Sequence, residues 1–179
     1  ASVHIDGGAF KCITHSFSRS SPKEGLTAEL VYVGSGDDAG FAGKDVKGRI
    51  VVADGIANPG VSLRASRAGA AGQLHVSPHE HVHEMCISPV WGSPTHETVA
   101  NLPSTVVVTV PLETGEKIKT ELLKKPDLKA TLKADVDTGW RKTPILVADM
   151  AREDEPFVFY TGHHDTWYYG VMDNGGANA

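Results

Sequence analysis

The sequence has few of the features that mark several protein classes. Two cysteines, Cys12 and Cys86, in 179 residues are too few for a disulfide framework. No apolar run reaches the length of a membrane span, the N-terminus has no signal-peptide pattern, and there is no internal repeat. One disulfide bridge or, preferably, two buried thiols would be compatible with this cysteine content. The location of the protein therefore stays open.

Net charge is also small. Seventeen Lys and Arg against 22 Asp and Glu give a formal charge of −5, and the lysines between 117 and 133 lie beside acids, as on a solvated face. Nothing in this balance favours a nucleic acid or an anionic membrane as partner. With 40% hydrophobic and 22% charged residues, the composition is that of a globular protein with a sizeable core.

Short apolar runs separated by turn residues predict a mixed, strand-rich α/β fold. Residues 1–26 are polar and rich in Gly and Ser, which predicts a lead-in segment with at most one strand, around Phe10–Ser16. Arg64 and Arg67 lie three apart on a predicted helix and could bind a substrate carboxylate, although a solvated helix face is preferred. The predicted strands are 30–33, 50–53, 72–76, 105–110, 128–136, 145–150 and 157–161, and the predicted helices are 62–69, with Ser62 as N-cap, and 112–125.

The segment 162–178, GHHDTWYYGVMDNGGAN, follows the apolar run 157–161. Alternate side chains of a strand share a face, so His163 and Asp165 are expected on the same side. A metal-bound imidazole usually donates its other N–H to a carboxylate, so this pair fits a ligand with its orienting acid as well as two ligands. The turn around Asp173 could return a third side chain to His163. One His and one or two Asp do not complete a zinc site, which normally takes four ligands.

This string closely resembles the first metal-binding segment of the co-catalytic di-zinc exopeptidases, the family of zinc aminopeptidases and glutamate carboxypeptidase II-like enzymes. The resemblance implies that His163 is a terminal ligand to one zinc ion. It implies that Asp173 bridges both ions and that Asp165 is the acid that orients the histidine. Trp167 and Tyr168 lie beside the string and are candidates for lining a substrate pocket, with simple packing as the alternative.

Residues 27–138 resemble a protease-associated domain, a small β/β/α module. The resemblance is carried by DVKGRIVV at 45–52, AGAAG at 68–72 and LPSTV at 102–106, in that order. In glutamate carboxypeptidase II-like enzymes and the transferrin receptor, such a domain is inserted just ahead of the metal-binding segment. The implied organisation is a lead-in segment at 1–26, a protease-associated domain at 27–138 and the truncated start of a zinc peptidase domain at 139–179.

The family resemblance also implies a mechanism for a longer parent protein. Two zinc ions would activate a shared water and polarise the scissile carbonyl of a peptide substrate, and a glutamate would take the proton. That glutamate and the remaining ligands would lie downstream, so we expect this chain alone to be inactive. Amino- and carboxypeptidase activity both remain open, and the family makes a homodimer an expected assembly. The alternative is a non-catalytic module that binds peptide or protein.

A second candidate metal site lies in the histidine-rich segment 75–86. The letters HEHVH at 79–83 satisfy the His-Glu-x-x-His pattern of zinc proteases, with His79 and His83 as ligands. That pattern requires a long helix, and the prolines on both sides, beginning with Pro78, leave barely two turns. We therefore expect a polar surface loop over 77–101, with a mononuclear zinc site as the alternative.

Overall fold

The computed structural model describes residues 1–150 and 156–162. The chain divides into two units, Ala1–Thr138 and Gly139–Ala179. Every helix and strand of the described residues lies in the first unit, and strand exceeds helix, so the mixed, strand-rich α/β class is confirmed. The elements are β1 (Ser2–Ile5), β2 (Gly8–Lys11), β3 (Ile13–Thr14), β4 (Leu26–Tyr32), α1 (Asp38–Phe41), β5 (Ile50–Asp54), α2 (Pro59–Arg67), β6 (Gly72–Val76), a 3-10 turn (Val99–Asn101), β7 (Val106–Val110), α3 (Leu112–Lys124) and β8 (Lys129–Lys133).

The strands form one mixed sheet in the order β2-β1-β8-β4-β5-β6-β7-β3. Strands β4 to β7 are parallel, while β8 runs antiparallel to β4 and β1, and β3 runs antiparallel to β7. Every residue of β6 and β7 is buried, as expected for parallel strands covered on both faces. By contrast, β8 alternates buried and more exposed residues, which matches the half-exposed strand predicted there.

Alternation along β5 divides the core into two layers. Val52 points to the face where Ile118 of α3 packs. Val51 points to the opposite face, where Val61 of α2 packs. The two longer helices therefore cover opposite faces of the parallel strands.

Helix α2 begins earlier than predicted because its N-cap is Asn58 and not Ser62. The Asn58 side chain accepts a hydrogen bond from the backbone N–H of Val61 at 3.0 Å, and Pro59 follows at the first helical position. Ser62 is a buried residue inside the helix. The predicted end is close to correct, since Gly69 with φ +74° follows the last turn.

Residues 1–26 contain three strands, so the expectation of at most one strand was wrong. Strands β1 and β2 form a hairpin whose two-residue turn is Asp6-Gly7, with φ of 45° and 81°. Asp-Gly is a strong signal for such a hairpin, and the polar composition of the segment obscured it. Both β1 and β3 extend the sheet, by pairing with β8 and β7.

Helix α3 begins after Pro111, whose side chain cannot cap it. Glu80, from the connection between β6 and β7, accepts a hydrogen bond from the backbone N–H of Glu113 at 2.9 Å. A carboxylate is stabilising at this positive end of a helix. The N–H of Leu112 also donates to the carbonyl of His79 at 3.1 Å, so the connection is attached to the start of the helix.

Removing this distant cap is expected to lower stability. We expect Glu80→Ala to reduce the free energy of unfolding by about 1 kcal/mol, the usual loss for a helix cap. Urea denaturation of the 179-residue chain measures it, and Glu97→Ala, an exposed acid on the same connection, is the matched control. Equal effects of the two substitutions would contradict a capping role.

Gly115 lies where α3 crosses β6. A Cβ atom at this position would be 2.2 Å from Cγ1 and 2.6 Å from Cγ2 of Val76, much closer than real Cβ contacts. Valine is stiff at χ1, so it cannot rotate away easily. The close approach of helix and strand therefore depends on the absence of a side chain.

Gly115→Ala should destabilise the protein, although the same change in an open helix stabilises it by about 1 kcal/mol. We expect a net loss of about 1 to 3 kcal/mol from overpacking. Val76→Ala in the same chain should recover part of that loss, so that the two changes are not additive in a double-mutant cycle. If the two changes in the free energy of unfolding were additive, the contact between residue 115 and Val76 would not be the reason why Gly115→Ala destabilises the protein.

In the second unit, the structure describes residues 139–150 and 156–162, and none of these is in a helix or strand. The strands predicted at 145–150 and 157–161 were therefore wrong. Ile145 is 87% exposed and Phe157 is 70% exposed. An apolar strand needs a partner for its backbone hydrogen bonds, and no described strand pairs with either segment.

Candidate functional site

The predicted metal ligands His163 and Asp173, with Asp165, lie outside the described residues, and so do Trp167 and Tyr168. Their roles stay predictions. Among residues 1–150 and 156–162, no group of three His, Cys, Asp or Glu side chains is placed to hold a metal ion. In that same part of the chain, no helix is long and apolar enough to cross a membrane.

The histidine-rich segment is an irregular loop, as expected. Residues 77–98 contain no helix, and the side chains of His79 and His83 are exposed. Ser77 holds the first turn by donating from its hydroxyl to the carbonyl of His81 at 2.7 Å. A His-Glu-x-x-His site needs both histidines on one helical face, so the mononuclear alternative was wrong.

The two cysteines are free thiols. Cys12 is half-buried and Cys86 is exposed, so the preference for two buried thiols was wrong for Cys86. Burial raises the pKa of the Cys12 thiol to about 11, with a smaller opposing effect of the N-terminal amine. A thiol with so high a pKa is a poor nucleophile near neutral pH.

Arg64 acts within the fold, which agrees with the preferred solvated-face interpretation. Its guanidinium Nε donates to the carboxylate of Asp38, and Nη1 donates to the carbonyl of Gly36 at 3.2 Å. These bonds attach α2 to the turn that begins α1. Arg67 is exposed on the same helix.

One polar cluster lies at the carboxyl ends of the parallel strands, where ligand sites of α/β proteins are common. We call it the Asp54 cluster, and it consists of Tyr32, Asp54, Glu116 and Lys119. Asp54 ends β5 and accepts hydrogen bonds from the Tyr32 hydroxyl and from Lys119 Nζ, the latter at 2.8 Å. Lys119 also lies 2.8 Å from Glu116, and its ammonium is 5.6 Å from the centre of the Tyr32 ring.

The charges of the Asp54 cluster support one another. Burial raises the pKa of Asp54, but the hydrogen bonds from Lys119 and Tyr32 outweigh it and leave the pKa lowered. Burial lowers the pKa of Lys119, but Asp54 and Glu116 leave it raised. The hydrogen bond to Asp54 is the largest cause of the raised pKa of Tyr32. All three groups are therefore held in their neutral-pH charge states.

The Asp54 cluster is suited to holding α3 on the sheet and not to cleaving a bond. The cluster joins the ends of β4 and β5 to the middle of α3, and its carboxylate is already paired with an ammonium. The sequence contained one signal for it, because Asp54 ends a buried strand and is followed by Gly55. The contribution of Lys119 could not be found from sequence, since it arises from the packing of α3 on the sheet.

A second cluster of polar side chains is buried on the face of β6 and β7 opposite α3. Gln73, His75 and Thr109 are at most 1% exposed. The amide nitrogen of Gln73 donates to Thr105 Oγ1 at 2.6 Å, and its carbonyl oxygen lies 3.2 Å from His75 Nε2. Since that oxygen only accepts, His75 carries its hydrogen on Nε2. The sequence carries no separate signal for this layer, because His75 lies within an apolar strand pattern.

His75 is held neutral. Its Nδ1 makes no hydrogen bond within the described residues. Burial lowers the pKa of His75 to about 3, the neighbouring His15 lowers it further, and the backbone of Gly55 partly offsets this. Protonating a fully buried imidazole is costly, so His75 stays neutral and serves to pack the sheet face.

The fold can be compared with solved structures. The chain is similar to an aminopeptidase from Aneurinibacillus sp. strain AM-1, with a TM-score of 0.59 and 23% identity over 74% of this chain. The described fold therefore occurs as part of a solved aminopeptidase. It is also similar to BSAP, a zinc aminopeptidase from Bacillus subtilis, with a TM-score of 0.57 and 24% identity over 74% of this chain. A peptidase M28 precursor from Shewanella amazonensis SB2B gives a TM-score of 0.53 and 16% identity over 74%.

These similarities concern a part of each peptidase. The chain covers 29% of each of the two aminopeptidases and 33% of the M28 precursor. No protein-family model and no curated protein sequence matches the chain. The comparisons therefore show the fold alone.

Proposed function

We propose that this chain is a portion of a zinc-dependent exopeptidase that removes terminal residues from peptides. The observation that carries the proposal is the fold shared with solved aminopeptidases, in a chain whose residues 163–173 resemble the first metal-binding segment of the di-zinc exopeptidases. Fold alone does not imply function, and the string adds residues with the donor chemistry of a zinc site. Aminopeptidase activity is preferred over carboxypeptidase activity because two of the similar structures are named aminopeptidases.

The domain organisation is part of this proposal. Residues 27–138 would correspond to a protease-associated domain, with β1 to β3 of the lead-in segment completing its sheet. Residues 139–179 would begin the peptidase domain. The exposure of apolar side chains such as Phe157 and Val158 supports this, because such residues normally pack against further strands.

The predicted site residues have the donor chemistry that zinc prefers, a histidine nitrogen and carboxylate oxygens. His163 would supply the nitrogen and Asp173 a carboxylate oxygen, and Asp165 would accept the free ring N–H and hold the imidazole in orientation. Bound zinc would supply Lewis acidity towards the peptide carbonyl and a lowered pKa for water. The remaining ligands and the general base would come from chain beyond residue 179, so the 179-residue chain alone would be inactive.

Zinc analysis of the full-length parent tests the proposal. We expect two zinc ions per chain by elemental analysis, and hydrolysis of peptides with a free amino terminus but not of amino-blocked peptides. Chelation should abolish hydrolysis, and added zinc should restore it. A parent without zinc or peptidase activity would overturn the proposal.

The alternative of a non-catalytic binding module has one observation in its favour. Trp91 lies on the connection between β6 and β7 and is 90% exposed, as in many contact surfaces. Such a module would bind peptide equally well after removal of residues 150–179. Isothermal titration with the full and shortened chains separates the two functions.

A further inference from the structure

The connection between β6 and β7, residues 77–105, is the longest irregular segment of the first unit. Its middle part, from Glu84 to Ile87, contacts His15 and Ser16, which directly follow β3. Ile87 is fully buried, and its N–H donates to the carbonyl of Ser16 at 3.3 Å. The hydroxyl of Ser16 donates to the carboxylate of Glu84 at 2.6 Å.

The central bond of this contact involves a histidine. The backbone N–H of Met85 donates to Nδ1 of His15 at 3.1 Å. The other ring nitrogen of His15, Nε2, lies 2.7 Å from the hydroxyl of Thr109 on β7. His15 therefore lies between the sheet and the connection, and it is 1% exposed.

The geometry fixes the tautomer of His15. A nitrogen that accepts a hydrogen bond carries no hydrogen, and a neutral imidazole carries only one. The hydrogen must then be on Nε2, from which it is donated to Thr109. Protonation would place a second hydrogen on Nδ1, so that two N–H donors would face each other at Met85.

The surroundings also oppose a charge on His15. Burial lowers the pKa of His15 to about 4. The titratable groups near the contact are His75 on β6 and Glu84 on the connection, and Thr109 on β7 is neutral. Glu84 is bonded to Ser16 and does not replace the bond that His15 Nδ1 makes.

We propose that His15 is an acid-sensitive latch, which holds Met85 and with it the connection between β6 and β7 against the sheet and releases it on protonation. The latch is independent of the proposed peptidase activity. When the connection leaves, water reaches His15 and its pKa returns towards 6.5. Opening therefore takes up one proton between about pH 6.5 and pH 4, and it becomes more favourable as pH falls.

Hydrogen exchange of the 179-residue chain, followed by NMR, tests the latch. After correction for intrinsic exchange rates, the opening constant of the Met85 amide is expected to rise about tenfold per pH unit between pH 6 and pH 4.5. The amide of Leu74, inside β6, serves as the internal reference for global unfolding. Its opening constant should stay far below that of Met85 and should follow the steeper slope expected when both buried histidines take up a proton. A Met85 opening constant that is independent of pH would overturn the proposal.

Two substitutions separate the bonds of the latch. In His15→Asn, the side-chain oxygen replaces Nδ1 and accepts from Met85 without titrating, so we expect a closed connection with no slope. In His15→Gln, the amide reaches Thr109 but not Met85, so we expect an open connection at every pH. Glu84→Gln should keep the wild-type slope. If Glu84→Gln removed the pH dependence of the Met85 opening constant, the titrating group would be the carboxylate and the latch proposal would be wrong. If His15→Asn kept that pH dependence, the titrating group would not be His15, which would also overturn the proposal.

A measurement on the unsubstituted chain tests the latch even if the His15 variants do not fold. The nitrogen chemical shifts of His15 distinguish its tautomers directly. We expect a protonated Nε2 and a bare Nδ1 at pH 7, and release of the Met85 amide in step with protonation of Nδ1. A hydrogen on Nδ1 at pH 7 would overturn the latch.

Discussion

His163→Ala and Asp173→Ala in the full-length parent are each expected, under the proposed function, to lower the peptidase kcat/KM by about a thousandfold. The reason is that metal-ion catalysis contributes several kcal/mol to the transition state, and each 1.4 kcal/mol is about tenfold in rate. Zinc content should fall together with activity in both variants. Initial rates and elemental analysis on the same preparations measure the two quantities.

Two further variants calibrate this result. Asp165→Asn should lower activity by about 10- to 100-fold, the usual effect of removing the partner that orients a ligand. His79→Ala, in the exposed loop, is the matched histidine control and should leave zinc and activity unchanged. If His79→Ala abolished activity while His163→Ala did not, the assignment of the metal site would be wrong.

The stability of the 179-residue chain is expected to fall steeply between pH 6.5 and pH 4. Burial lowers the pKa of His15 to about 4 and that of His75 to about 3, from 6.5 in the unfolded chain. The unfolded chain therefore binds more protons in this range, and stability is full above pH 6.5 and is lost as pH falls. With two such groups the slope is about 3 kcal/mol per pH unit, so the total loss is on the order of 5 kcal/mol.

The pH range separates these histidines from the carboxylates. Hydrogen bonds from backbone N–H groups lower the pKa of Asp37, and Lys117 lowers that of Glu113. Their contributions are present above the unfolded pKa values of 3.8 and 4.5 and are lost only as pH falls below them. Loss of stability above pH 5 can therefore be assigned to the buried histidines.

Urea denaturation at a series of pH values measures the slope. His15→Gln and His75→Gln should each remove about half of it, whatever they do to stability at pH 7. His79→Gln, in the exposed loop, should leave the slope as in the wild type. A free energy of unfolding that is constant from pH 6.5 to pH 4.5 would contradict neutral, buried histidines.

Hydrophobic pattern predicted the central part of the fold well. The strands at β5, β6 and β7 and the helix α3 were found because their apolar runs are long enough to be recognised against the flanking turns. The irregular loop at 77–98 was found from its prolines and polar, histidine-rich composition. The cap of α2 was misplaced, because Ser62 and Asn58 are both good N-caps and only the packed helix distinguishes them.

Segments that depend on distant partners were predicted less well. The N-terminal strands are short and polar, so only one strand, around Phe10–Ser16, was predicted where β1, β2 and β3 form. Pairing of β1 with β8 and of β3 with β7 stabilises them. The opposite error occurred at 145–150 and 157–161, where apolar runs suggested strands that have no partner among the described strands. Strand formation is a property of pairs, so one segment does not decide it.

By itself, the sequence determined the mixed α/β class, the positions of the buried parallel strands and the string around His163 from which zinc chemistry is proposed. Local patterns are sufficient there, because burial and metal binding select residue types at short spacing. Only the tertiary structure decided that Glu80 caps α3, that Lys119 meets Asp54 and that His15 holds Met85. Each of these contacts joins residues more than 30 positions apart, and packing of the helices and connections on the sheet brings them together.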